Sequence, residues 1–217
     1  SLNYQSVQQV APRGFHVGGM FARLGRSARL QATTVTMSGA LVRNDALVNL
    51  DDEGGFASLD GLYLAFGRSH VDNHTHITHN APHCVSREHY KGVLGDRGHA
   101  VFHGRIVVQS GAQKTDSVQN NQNLLLSADA EIDTKPQLEI YADDVKCAHG
   151  ATVGQLDETA VFYLMSRGID RQAARRMLTQ AFAADVLNRI ELPALRSYLE
   201  AQAVQRLSPE QVRESES

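Results

Sequence analysis

The chain has 217 residues, 42% of them apolar and 21% charged, with a formal net charge of −3. This composition excludes an intrinsically disordered chain, shows no basic footprint for nucleic acid or an anionic membrane, and contains no apolar run near the roughly 18 residues of a membrane helix. Two cysteines cannot staple a domain of this size, so a reducing, cytoplasmic compartment is the simpler expectation. The start, Ser1-Leu2-Asn3-Tyr4-Gln5, lacks both an initiator Met and a signal pattern, as expected of a trimmed or processed N-terminus.

In chain order, composition predicts a β module over 1–156 and a helical domain over 157–217. The stretch from Phe21 to Leu156 is rich in Thr, Val, Gly, Asn, Gln, His and Asp. Short strands are predicted at Ala32–Met37, Ala46–Leu50, Leu62–Phe66, His74–His79, Ala100–Val108, Asn123–Leu126 and Leu138–Ala142, bounded by Gly, Asn, Asp and Pro. Asp60-Gly61 is the one tight-hairpin dipeptide. Polar ladders occur instead, including Gln109, Gln113, Gln119, Asn120, Asn121, Gln122 and Asn123. Short strands, few aromatics and Asn/Gln-rich turns favour a solenoid. No fixed repeat is evident, so a sandwich stays open beside a parallel β-helix.

From Asp157 onward the chain is rich in Ala, Leu, Arg, Gln and Glu. A first helix is predicted over Thr159–Met165, ending at Gly168. Asp170 is a plausible N-cap for a second, whose apolar stripe runs through Ala174, Met177, Leu178, Ala181, Phe182, Val186 and Ile190. Pro193 suits the first turn of a third, carrying Leu195, Leu199 and Val204, and Ser208-Pro209-Glu210 reads as one more helix start. Such a bundle at the end of a solenoid could cap it or serve as a docking surface.

Two constellations could carry chemistry. The first is His70, His74, His76, His79, His83 and Cys84, with His74 and His76 sharing a strand face with Asp72. Two imidazoles and a carboxylate suit zinc or iron, and a polar solenoid face with histidines bonded across coils explains the same residues. The second is Cys147-Ala148-His149. At i and i+2 both side chains face one way in a strand, and thiolate and imidazole are the ligand types an iron–sulfur cluster accepts. A small buried thiol beside an interfacial histidine is the bland reading. There is no P-loop, no G-x-G-x-x-G opening a helix and no H-E-x-x-H.

The run from Gly104-Arg105-Ile106 through Gln113-Lys114-Thr115-Asp116, Gln119 to Ser127 and Lys135 to Ile140, on to Cys147-Ala148-His149-Gly150-Ala151-Thr152 and Phe162 to Ile169, closely resembles the SufB/SufD family of iron–sulfur assembly scaffolds. The run Cys147-Ala148-His149-Gly150, where the SufB branch typically carries Glu-Ala after its histidine, looks like the SufD branch. The family's usual N-terminal helical region has no counterpart in these residues. The resemblance implies a mainly β protein, a right-handed parallel β-helix followed by a small C-terminal α-helical domain. It implies a non-enzymatic scaffold that pairs with SufB through the β-helices and docks the SufC ATPase, the source of any ATP energy, on its C-terminal helices. A nascent Fe–S cluster would then form transiently at the SufB–SufD interface, with no cofactor held stably by this chain alone. His149 matches the interfacial histidine and would serve as a transient metal ligand, with Cys147 close by. Arg167, Arg171, Arg175 and Arg176 could contribute to SufC docking, or form a solvated helix face. Without SufB a homodimer is plausible. The alternatives are a β-helical carbohydrate-active lyase or hydrolase, which would need clustered carboxylates where Asp143 and Asp144 point apart, and a zinc hydrolase built on the His70 to His83 cluster.

Overall fold

The computed structural model describes residues 1–207. Ser208-Pro209-Glu210 therefore lies outside the described residues. The described chain forms strands β1 (Leu2–Gln9), β2 (Phe15–Leu24), β3 (Arg29–Ser38), β4 (Leu41–Leu50), β5 (Phe56–Ala65), β6 (His70–His79), β7 (Val85–Leu94), β8 (His99–Val108), β9 (Asp116–Leu125), β10 (Glu131–Ile140) and β11 (Lys146–Gly154), then helices α1 (Glu158–Met165), α2 (Arg171–Leu187) and α3 (Pro193–Arg206).

Odd strands stack as one parallel sheet, β1-β3-β5-β7-β9-β11, and even strands as a second, β10-β8-β6-β4-β2. The result is a two-sided parallel β-helix, which settles the choice between solenoid and sandwich. Rung spacing varies from 26 residues, Phe15 to Leu41, to 32, His99 to Glu131. Those four strands are each 10 residues long, so the turns absorb the difference. A drifting period of this kind hides the repeat from sequence inspection. Strands β1, β2, β7 and β11 were not among the predicted ones.

Inward positions alternate with outward ones. In β6, Val71, Asn73, Thr75, Ile77 and His79 are buried and the residues between them are not. The apolar core inside the coils includes Leu50, Leu59, Tyr63, Phe102 and Ile106. A second core lies outside the solenoid. Val35, Met37, Leu62, Leu64 and Val93 on the outer face of the odd sheet pack against Val186, Leu187, Ile190 and Leu199. Strand β5 is therefore buried on both faces, as its nearly continuous apolar sequence requires.

The helices thus cover the flank of the solenoid instead of sitting over its end. Asp170 caps α2 as the sequence reading expected, accepting from the Ala173 amide at 2.9 Å, and Asp157, not singled out there, caps α1 by accepting from that of Thr159 at 2.8 Å. Pro193 sits in the first turn of α3, and Gly168 takes a left-handed φ of 86° that a side chain would oppose. The buried stripe of α2 is Ala174, Thr179, Ala183, Val186 and Leu187, whereas Met177 and, on α3, Val204 are exposed. Ala174, Val186 and Ile190 of the predicted stripe are thus buried and Phe182 packs against the flank core, whereas Met177 and Ala181 face solvent.

Candidate functional site at the open end of the solenoid

Among the described residues β11 pairs with β9 alone and β10 with β8 alone, so the last described coil presents two unpaired edges. Cys147 stands in register with Ser117, and His149 with Gln119. One coil further in, Ser117 is in register with Ser86 and Gln119 with Glu88. Cys147 and His149 therefore lie on the inward-facing column of the odd sheet, as i, i+2 spacing in a strand dictates. In the earlier coils that column is sealed. In the last coil Cys147 is half-buried against the core and His149 is exposed. Burial pushes the Cys147 thiol up, and the nearby Asp116 carboxylate adds to this, while the Ser117 backbone opposes it. Free Cys147 is consequently a thiol at neutral pH, and needs a metal or a cationic neighbour to become a thiolate ligand.

Behind this pair the interior is polar. His79 Nε2 lies 2.9 Å from Ser86 Oγ, which lies 2.7 Å from Ser117 Oγ. Burial pushes His79 down to about 4, so its ring is neutral at physiological pH. The Gln119 amide donates to Glu88 Oε2 at 2.6 Å. Burial raises the Glu88 carboxyl to about 7 against the opposing pull of Thr75 and Gln119. Asn121 donates to the Tyr63 hydroxyl at 3.0 Å, and Asn123 to Asn121 at 2.6 Å. Gln119 and Asn121, expected in turns, and Asn123, at the start of a predicted strand, are buried inward positions of β9. Asn123 bonds Asn121 and Gln119 bonds Glu88 inside the coil, the environment in which a polar core residue is tolerated.

The histidine-rich stretch does not converge. His70, His74 and His76 point outward from the even sheet, His79 points inward, His83 sits in a turn at φ 57°, and Cys84 is buried with its thiol donating to the Asp52 carbonyl. His70 Nδ1 lies 3.1 Å from His99 Nδ1, and His74 Nε2 lies 2.8 Å from Asp72, which also pairs with Arg43. Burial lowers the pKa of His70 and of His76, and His99 and Arg105 respectively add to the effect. Among the described residues no three of His, Cys, Asp and Glu are placed to hold a metal ion. This ladder of cross-coil contacts fits the reading of these histidines as a polar solenoid face.

On the helices, Arg171 and Arg175 both bind Glu158, at 2.7 and 3.0 Å, and tie α1 to α2. Arg167 lies over the Tyr163 ring. These arginines serve the fold of the helical region. The helices also expose apolar side chains, Phe162 at 70% and Tyr163 at 58% with Met165 on α1, and Met177 on α2. Sequence reasoning missed this exposure because it assigned the same apolar run to helix formation. It also missed Glu88, Ser86 and Ser117, whose only signal is their place one and two rungs behind Cys147 and His149.

A parallel β-helix with a Cys-x-His strand on its last described coil and helices along one flank defines the class of protein: a β-solenoid with a thiol and an imidazole at one end. Residues 1–182 match the family described as SUF system FeS cluster assembly, SufBD core domain, and the chain belongs to that family. It is 39% identical over 90% of its length to the iron–sulfur cluster assembly protein SufD of Escherichia coli (strain K12), of which it covers 46%. It is 31% identical over 87% of its length to the chloroplastic protein ABCI7 of Arabidopsis thaliana, covering 40% of that protein. With SufD of Bacillus subtilis (strain 168) the identity is 28% over 82% of this chain and 41% of that protein. The chain thus spans less than half the length of these curated relatives. No helix among the described residues is long and apolar enough to cross a membrane.

Proposed function

We propose that this chain is a SufD-type scaffold unit in cytoplasmic iron–sulfur cluster assembly, and not an enzyme in its own right. Its β10–β11 edge takes a SufB-type partner, and its helical region takes a SufC-type ATPase, which supplies the ATP-driven motion. The single observation that carries this reading is the placement of Cys147 and His149 on the inward column of an unpaired terminal coil. A cluster assembled there is cargo. His149 supplies an imidazole ligand from this side and the partner supplies the remaining ligands, because one thiol and one imidazole are too few to retain a cluster. Splitting the ligand set between two subunits lets a shift of an ångström or two release the product. The unpaired edge also offers backbone groups for strand pairing, and a second copy would take it when the partner is absent. For the ATPase, the exposed Phe162, Tyr163, Met165 and Met177 are a better docking surface than the arginines, two of which are already paired.

The test is co-expression with the SufB-type and SufC-type proteins of the same organism, comparing wild type, His149→Ala and Phe162→Asp. The expected result is a complete complex for His149→Ala that no longer assembles a cluster on reconstitution, and loss of the ATPase alone for Phe162→Asp. Failure of the wild-type chain to bind either partner would overturn the assignment.

A further inference from the structure

We propose that Gln119, oriented by Glu88, is the positioning residue for His149. In this arrangement the free amide oxygen of Gln119 takes the inward-facing ring N–H of His149 and leaves the lone pair of the other ring nitrogen at the open end. The inference rests on the ligand role given to His149 above and names what sets its tautomer.

Four observations lead to it. Glu88, Gln119 and His149 occupy one inward column on three successive rungs, so their backbones are each about 4.8 Å apart. Glu88 and Gln119 are buried, with 2% and 0% exposure. The Gln119 amide nitrogen is committed to Glu88 Oε2 at 2.6 Å, on the side away from the open end. Gln119 Oε1 is buried and has no hydrogen-bond partner among the described residues.

The chemistry follows from the amide's asymmetry. Above about pH 7, where the Glu88 carboxyl is ionised, it only accepts, so it holds Gln119 with its NH2 toward Glu88 and its oxygen free. An unmet buried acceptor keeps its full desolvation cost, which gives the oxygen a reason to capture the next donor on the column. That donor is the imidazole of His149. The opposing sheet keeps the amide in place: a Cβ at Gly104 would overlap the Gln119 amide nitrogen, so the glycine opens the space that the amide occupies. A histidine that binds a metal through one nitrogen works best when the other is held by an acceptor, because this fixes both the tautomer and the ring orientation. The file thus extends the site two coils into the solenoid, to residues that touch neither partner nor cargo.

The experiment reads the imidazole directly. The full chain is labelled with 15N-histidine, and the ring nitrogens of His149, assigned by their loss in His149→Gln, are followed in wild type, Gln119→Leu, Glu88→Gln and Asn120→Ala. In wild type one nitrogen is expected to read as N–H and the other as bare. Gln119→Leu shifts the tautomer ratio about fivefold toward that of a free imidazole, the change produced by losing one typical hydrogen bond. Glu88→Gln, which keeps the shape but lets the Gln119 amide turn over, gives a smaller shift in the same direction. Asn120→Ala, on the outward face of the same strand, leaves the ratio at the wild-type value. A ratio that is the same in wild type, Gln119→Leu and Glu88→Gln overturns the proposal. Retained cluster assembly in His149→Ala complexes would instead overturn the ligand role, while the tautomer result would stand, so the two failures are distinguishable.

Discussion

The middle coils and the last coil of this solenoid carry the same inward column, and they behave differently. At β7 and β9 the column holds Ser86, Ser117, Glu88 and Gln119, all sealed from solvent and bonded to one another. At β11 it holds Cys147 and His149, with no further coil among the described residues to cover them. The backbone geometry is that of the preceding rungs, and only the presence or absence of the next coil differs. Reactivity here is set by position in the stack. A polar side chain in mid-column is a structural partner, and one at the end is open to solvent and free to serve the ligand role proposed above.

That contrast can be broken first where packing is tightest. Phe102 is fully buried and packs against Tyr90 with ring centroids 5.1 Å apart. Phe102→Ala is expected to cost about 3–5 kcal/mol, read as a fall in the urea unfolding midpoint.

The next largest effect is electrostatic. Burial holds the Glu88 carboxyl near 7, above the ordinary carboxylate value, so the folded state binds more protons than the unfolded one between about pH 4.5 and 7. Its contribution to stability is complete below pH 4.5 and is lost as pH rises through 7. His79, held down to about 4, has the opposite sign: its contribution is present above about pH 6.5 and is lost as pH falls toward 4. The two slopes offset each other in wild type. Glu88→Gln removes one of them, so its stability relative to wild type should rise by on the order of 3 kcal/mol between pH 5 and 8, measured by chemical denaturation at each pH. A difference that is flat with pH would show that Glu88 is not buried in the column.

A smaller effect is expected on the flank. Asp60 is buried and is pushed up by desolvation, while Arg189 on the helical side, 3.0 Å away, pulls it back. Arg189→Met leaves that carboxylate unpaired and should cost about 2 kcal/mol. This is less than the loss of a wholly buried pair because Arg189 is itself 43% exposed. Asp185 holds His89 and Lys91 nearby, at 2.9 and 2.8 Å, so the helices stay attached and the unfolding transition stays single.

The smallest effect sharpens the contrast most. His149→Ala at the open end should change stability by less than about 0.5 kcal/mol in the same assay, while it abolishes cluster assembly in the complex. A large stability loss would mean that the last coil is packed like the middle ones.

By itself the sequence determined the division into a β module and a helical region, the caps at Asp170 and Pro193, the family, and the Cys147–His149 pair on one strand face. All of these depend on residues close together in the chain, or on motifs that survive divergence. Only the tertiary structure decided that Gln119, Asn121 and Asn123 are interior, that His70 and His74 face outward in a ladder, that the helices lie along the flank, and that Glu88 stands two rungs behind His149. The physical reason is the turn lengths. Alternation within a strand has a fixed period of two, whereas rungs fall 26 to 32 residues apart, so column membership across coils is set by how each turn closes.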